Sequence, residues 1–139
     1  MKKNKMIPKY KTILETKPEF FGKELSALQK SSWTEAKRRI IDYFDRNGTK
    51  VHESSSSTNI GSITSYYSLD FANYTAGAVV HIDEVLPERK FVYVEVILAS
   101  QHRSLDGLAE DILNRANGFL YERETVKSKK INSCFGIDL

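Results

Sequence analysis

Asp83 and Glu95 are the residues whose types and spacing come nearest to reaction chemistry. Each sits in an alternating run and leaves the Val/Ile side of that run, so the two carboxylates could converge on a hard cation such as Mg2+. His81 shares a face with Asp83 and, with Glu95, completes at most a weak three-ligand set. The plainer reading, two exposed strand carboxylates and a surface histidine, fits the residues better. Of the other histidines, His52 borders a serine run and His102 precedes a helical segment. Ser54 to Ser57 contain no Gly-x-Ser-x-Gly elbow, and the seven glycines are scattered without a phosphate loop. No catalytic residue, metal ligand or cofactor is assigned.

The cations are more informative. The chain has 139 residues, with 21 Lys+Arg against 18 Asp+Glu and a net charge of +3. That charge is uneven: +5 over residues 1–30, +2 over 31–50, −4 over 51–100 and zero over 101–139. Lys2, Lys3, Lys5, Lys9 and Lys11 stand without an acid between them, in the pattern of a mobile, solvated arm. A second cluster is Lys37, Arg38 and Arg39, and a third is Lys127, Lys129 and Lys130. Lysines neutralise phosphates through a sequence-independent, salt-sensitive attraction. The arm and the Lys37–Arg39 cluster are therefore the candidate residues for a nucleic acid or a nucleoprotein partner.

These residues need a scaffold, and the length suits one domain. Residues 12–30 are ambiguous: Pro18 stops any helix begun at Thr12, while Phe20, Phe21, Leu25 and Leu28 could line a short one. Ser32-Trp33-Thr34-Glu35 fits a capping box, and Trp33, Ala36, Ile40 and Phe44 follow at helical spacing until Asn47-Gly48. Residues 52–62, with four serines in a row, read as a flexible connection. Three alternating runs follow. Ile63, Tyr67 and Leu69 mark the first strand, Ala78, Val80 and Ile82 the second, and Phe91 to Ala99 the third, apolar on both faces. Ser104 opens a last helix with Leu105, Leu108, Ala109, Ile112, Leu113, Ala116, Phe119 and Leu120 buried.

The expected fold is a single α+β domain: helix, three-stranded antiparallel meander, helix. It places a basic arm and lead-in at 1–31, the core at 32–122, and a loose or edge-strand tail at 123–139. Cys134 is the one cysteine, which excludes an internal disulfide framework, and no apolar run reaches the length of a membrane span. Lys9, Lys11 and Glu15 interrupt what would be the apolar part of a signal peptide. A cytoplasmic protein with no membrane partner is the expectation; the oligomeric state is open.

Two resemblances follow from these residues. The order helix, three strands, helix, with Asp83 and Glu95 on neighbouring strands, is similar to the core of PD-(D/E)xK nucleases. There Ile97 stands where that motif has Lys, so the implied enzyme is a degenerate one. The basic start Lys2 to Lys11, the strand Tyr93 to Ser100 and the helix Leu108 to Leu113 resemble phage-encoded anti-CRISPR proteins that inhibit Cas9. That likeness implies a non-enzymatic inhibitor, acting on a Cas9-type effector or its guide RNA inside a host cell. A third possibility from the residues is a protein–protein adaptor using aromatics Tyr66, Phe91 and Tyr93 on the sheet.

Overall fold

A computed structural model describes residues 10–20, 24–55, 62–71, 75–84, 92–101 and 105–126. Strand β1 (Tyr10–Thr16) and a 3-10 turn (Pro18–Phe20) lead to helix α1 (Ala27–Asn47). Strands β2 (Gly48–Ser55), β3 (Ser62–Asp70), β4 (Thr75–Glu84) and β5 (Val92–Ser100) follow, then helix α2 (Asp106–Arg115) and strand β6 (Leu120–Val126). The strands form one sheet in the order β2-β3-β4-β5-β1-β6, with every neighbour antiparallel.

The α+β class stands, and β3-β4-β5 form the expected meander. The sheet is nevertheless six-stranded rather than three-stranded. The largest departure is β1, which lies between β5 and β6 inside the sheet. Thr12, Leu14 and Thr16 are buried on one of its faces and Ile13 on the other, which is why no clean alternation marks it. Lys11 therefore belongs to this strand, opposite Ala99 and Val126, and not to a free arm. β2 takes in residues 52–55 of the stretch expected to be a flexible connection, because a free edge needs no apolar side chains to pair its backbone with β3. The described sheet thus extends beyond 32–122 at both ends.

Helix α1 starts six residues ahead of the Ser32 capping box. Ser26 Oγ accepts from the Gln29 amide at 3.1 Å, and Gln29 Oε1 accepts from the Ser26 amide at 2.8 Å, closing the box one and a half turns earlier. Helix α2 stops at Arg115 because Asn117 (φ 53°) and Gly118 (φ 82°) turn left-handed. Phe119 and Leu120 are buried as expected, but Leu120 already belongs to β6.

Both helices cover one face of the sheet. Trp33, Ala36, Ile40, Tyr43 and Phe44 of α1 and Leu108, Ala109 and Ile112 of α2 share a core with Leu14, Leu69, Val80, Val96 and Leu98. Trp33 meets Phe119 edge-on at 5.6 Å, and Phe119 packs on Phe20 at 4.8 Å, which ties the 3-10 turn after β1 to α1 and to the segment between α2 and β6. Ile13 and Ala99 have the opposite parity; they are buried but lie outside that core. No described helix is long and apolar enough to cross a membrane.

Candidate functional site

The Lys37–Arg39 cluster divides across α1. Lys37 lines a pocket against β2, β3 and β4, whereas Arg38 and Arg39 line a groove between α1 and α2. A helical step of about 100° per residue separates neighbouring side chains in this way. Arg46, seven residues after Arg39, returns to the same side, and Arg115 enters from α2. Four guanidinium groups thus line one groove of about 690 Å3, together with Asp42, Tyr43, Asn47 and Asn114.

The groove's arginines are held to different degrees. Arg38 pairs with Asp42 at 3.3 Å and with Glu35 at 3.9 Å, and all three side chains are well exposed. Such solvated pairs are weak and exchange readily for a stronger anion. Arg39 donates to Asn117 Oδ1 at 3.2 Å, while Asn117 Nδ2 donates to the Ser32 carbonyl at 2.9 Å. The left-handed turn after α2 is thereby fastened to α1. Arg115 donates to the Asp111 carbonyl and lies 4.6 Å over the Tyr43 ring, whose hydroxyl donates to Asp111 at 3.4 Å. Arg46 is exposed and makes no ion pair among the described residues. One groove thus contains a fork in solvated ion pairs, a tethered fork, a stacked fork and an uncommitted one.

Arg46 was not singled out from the sequence, although its helical spacing from Arg39 was the signal that could have found it; Arg115 carries no such signal, since only the packing of α2 on α1 brings it there. Of the arm, Lys2, Lys3, Lys5 and Lys9 lie outside the described residues, as do Lys127, Lys129 and Lys130.

The helix-free face carries the carboxylates. Register aligns Thr64, His81, Glu95, Glu15 and Tyr121 in one row across β3, β4, β5, β1 and β6. Thr64 Oγ1 and His81 Nδ1 share a hydrogen bond at 2.8 Å. Glu15 and Glu95 face each other directly, a repulsive cross-strand pair that Arg123 relieves at 3.3 Å and 3.7 Å. Tyr93 and Tyr121 each donate to Glu15 at 3.3 Å. Burial raises the Tyr93 phenol well above its usual range, and the charges of Glu95 and Glu15 push it further; burial and Glu15 raise Tyr121.

That network is a poor metal centre. Asp83 stands opposite Tyr93, one register step from Glu95, whose partner is Arg123. Among the described residues no group of three His, Cys, Asp or Glu could hold an ion. Ile97 is the residue two beyond Glu95 on the same strand face, so no cation stands where a nuclease would need one. Tyr66 is exposed and tilts against His52 at 5.6 Å, while Phe91 lies outside the described residues. No protein family, curated protein or solved structure matches this chain.

Proposed function

We propose that this chain is a non-enzymatic binding protein that engages phosphates of a nucleic acid or nucleoprotein through the arginine groove between α1 and α2. The observation that carries the reading is the convergence of Arg38, Arg39, Arg46 and Arg115 on one groove with Asp42 as the acid among its lining residues. A guanidinium offers paired donors in a plane that matches two phosphate oxygens, and it keeps its charge at any working pH. Several such forks on two rigid helices suit a repeating polyanion better than a single small ion. Because the contacts are to phosphate, the binding is sequence-tolerant and falls with salt.

The test is fluorescence anisotropy of labelled duplex DNA and single-stranded RNA with the full chain, against poly-glutamate as a charged control. Binding to the nucleic acids with little preference among sequences is expected, and Arg46→Gln should weaken all of them alike. Equal binding to poly-glutamate, or no effect of Arg46→Gln, contradicts the reading. The narrower form, an inhibitor of a Cas9-type effector, rests on the basic start and on the Tyr93–Ser100 and Leu108–Leu113 runs. Adding the chain to a Cas9–guide RNA cleavage reaction decides it: loss of cleavage supports that form, and unchanged cleavage removes it.

A second reading, a protein–protein adaptor, is favoured by Tyr66, 38% exposed on the helix-free face beside half-buried Val79 and Ile97. Tyr66→Ser would then abolish capture of a partner and leave the nucleic-acid anisotropy unchanged.

A further inference from the structure

Strand β2 is one edge of the sheet. Among the described residues it pairs with β3 alone, and seven of its eight residues are exposed. An edge of this kind presents a row of backbone donors and acceptors to any added strand. Val51 is 64% exposed on it, and with Tyr66 and Val79 it lines a shallow, apolar depression. The register of β2 decides which strand fits.

The pairing with β3 shifts between Lys50 and His52, so Val51 is an extra residue and the alternation of faces slips by one there. Lys50 stands opposite Tyr67 and Glu53 opposite Ser65, which puts both on the helix-covered face. Thr49 and Ser54 stand opposite Ser68 and Thr64 on the other face, as does His52 opposite Tyr66, where Val51 joins it. The order of faces is therefore the same from either end of the strand, with the centre between Val51 and His52. A regular strand has no such symmetry about a point between two residues, because neighbours face opposite ways. Charge follows the same symmetry: Lys50 and Glu53 are equidistant from the centre and form an exposed pair at 2.6 Å.

We propose that β2 is a homodimer interface, two copies of this chain pairing their β2 strands antiparallel about a two-fold axis normal to the sheet between Val51 and His52. That axis sets helix-covered face beside helix-covered face and joins the two sheets into one. Lys50 then stands opposite the partner's Glu53, and Glu53 opposite the partner's Lys50. The pair within each strand is kept, so four charges alternate in sign around a square, each bordered by opposite charge on its own strand and across the axis. On the other face Val51 packs on the partner's His52, beside Tyr66. Registers that set Lys50 against the partner's Lys50, or Glu53 against the partner's Glu53, are repulsive. A bulge and a lysine usually blunt an edge against foreign strands; here they select a second copy. One strand pair is a small contact, so the dissociation constant should be on the order of 0.1 mM. None of the groove's arginines lies on β2, so this interface leaves that groove open.

The experiment is sedimentation velocity of the full chain from about 10 μM to about 1 mM, a range that brackets such a constant. A concentration-dependent monomer–dimer equilibrium is expected. Lys50→Glu and Glu53→Lys alter exposed side chains, and each alone should weaken the dimer by roughly five- to thirtyfold, since two cross-strand pairs turn repulsive. An equimolar mixture of the two variants should recover the wild-type affinity as a heterodimer, because every cross-strand pair is again of opposite sign. A wild-type chain that stays monomeric throughout overturns the proposal. So do a dimer that neither variant weakens and a mixture that associates no better than each variant alone.

Discussion

Gly48 stands where α1 passes the chain directly into β2, and it has no room for a side chain. A Cβ there would lie 2.5 Å from both Leu69 Cδ2 and the Ser68 carbonyl oxygen, and the latter is backbone that cannot swing aside. Gly48→Ala should lower stability by about 1–3 kcal/mol in urea unfolding, as overpacking does. Gly107 is the contrast: a Cβ meets nothing within 4 Å, and the residue is exposed in α2. Gly107→Ala should raise stability by up to about 1 kcal/mol. Tyr67 supplies a pH signature. Burial, then the charge of Asp45 and the 3.2 Å hydrogen bond to it, push its phenol from 10.0 to about 12. The folded state therefore holds this proton more tightly than the unfolded chain. Its stabilising contribution is complete below about pH 10 and is lost as pH rises towards 12. The urea midpoint should fall through that window, and Tyr67→Phe should flatten the fall.

At the scale of elements, the strong periodicities were readable and the strands with mixed neighbours were not. The stripe Trp33, Ala36, Ile40, Phe44 located α1 and its end, and the alternation around Leu69, Val80 and Val96 located β3, β4 and β5. The start of α1 was misplaced because Ser32 and Glu35 imitate a capping box inside a helix already running from Ala27. Ser26→Ala should therefore cost about 1 kcal/mol, whereas Ser32→Ala should be nearly neutral, since only the Ser32 carbonyl is engaged, by Asn117. Unfolding of the two variants side by side checks this. β1 was missed because a strand buried on both faces loses its alternation, although Thr12, Ile13 and Thr16 are β-branched residues that favour strands. Its central place has a practical consequence. Removing residues 1–9 should leave cooperative unfolding intact, while removing residues 1–16 takes out the strand that joins β5 to β6 and should abolish it.

At the scale of the whole molecule, the described residues carry two separate charge clusters, one on each face of the sheet. The helix side presents Arg38, Arg39, Arg46 and Arg115, and the opposite side carries the Glu15–Glu95 pair bound by Arg123. Half of the candidate site was legible, since Arg38 and Arg39 stand in an obvious basic run. Of the other two, Arg46 follows Arg39 at helical spacing, whereas Arg115 depends on helix packing that no linear spacing reveals, and Lys37, adjacent in sequence to Arg38, faces a different cavity. Loss of net positive charge elsewhere would change the binding only through long-range attraction, whereas loss of groove arginines removes phosphate contacts themselves. The salt dependence of affinity separates these two effects. The decisive measurement is the slope of log K against log salt for duplex DNA, taken for the wild-type chain and for Arg39→Gln/Arg46→Gln. If both arginines meet phosphate, the double variant's slope should be shallower by about 1–2. An unchanged slope, or weakening of the same size at every salt concentration, would show that the groove between α1 and α2 is not where the polyanion binds.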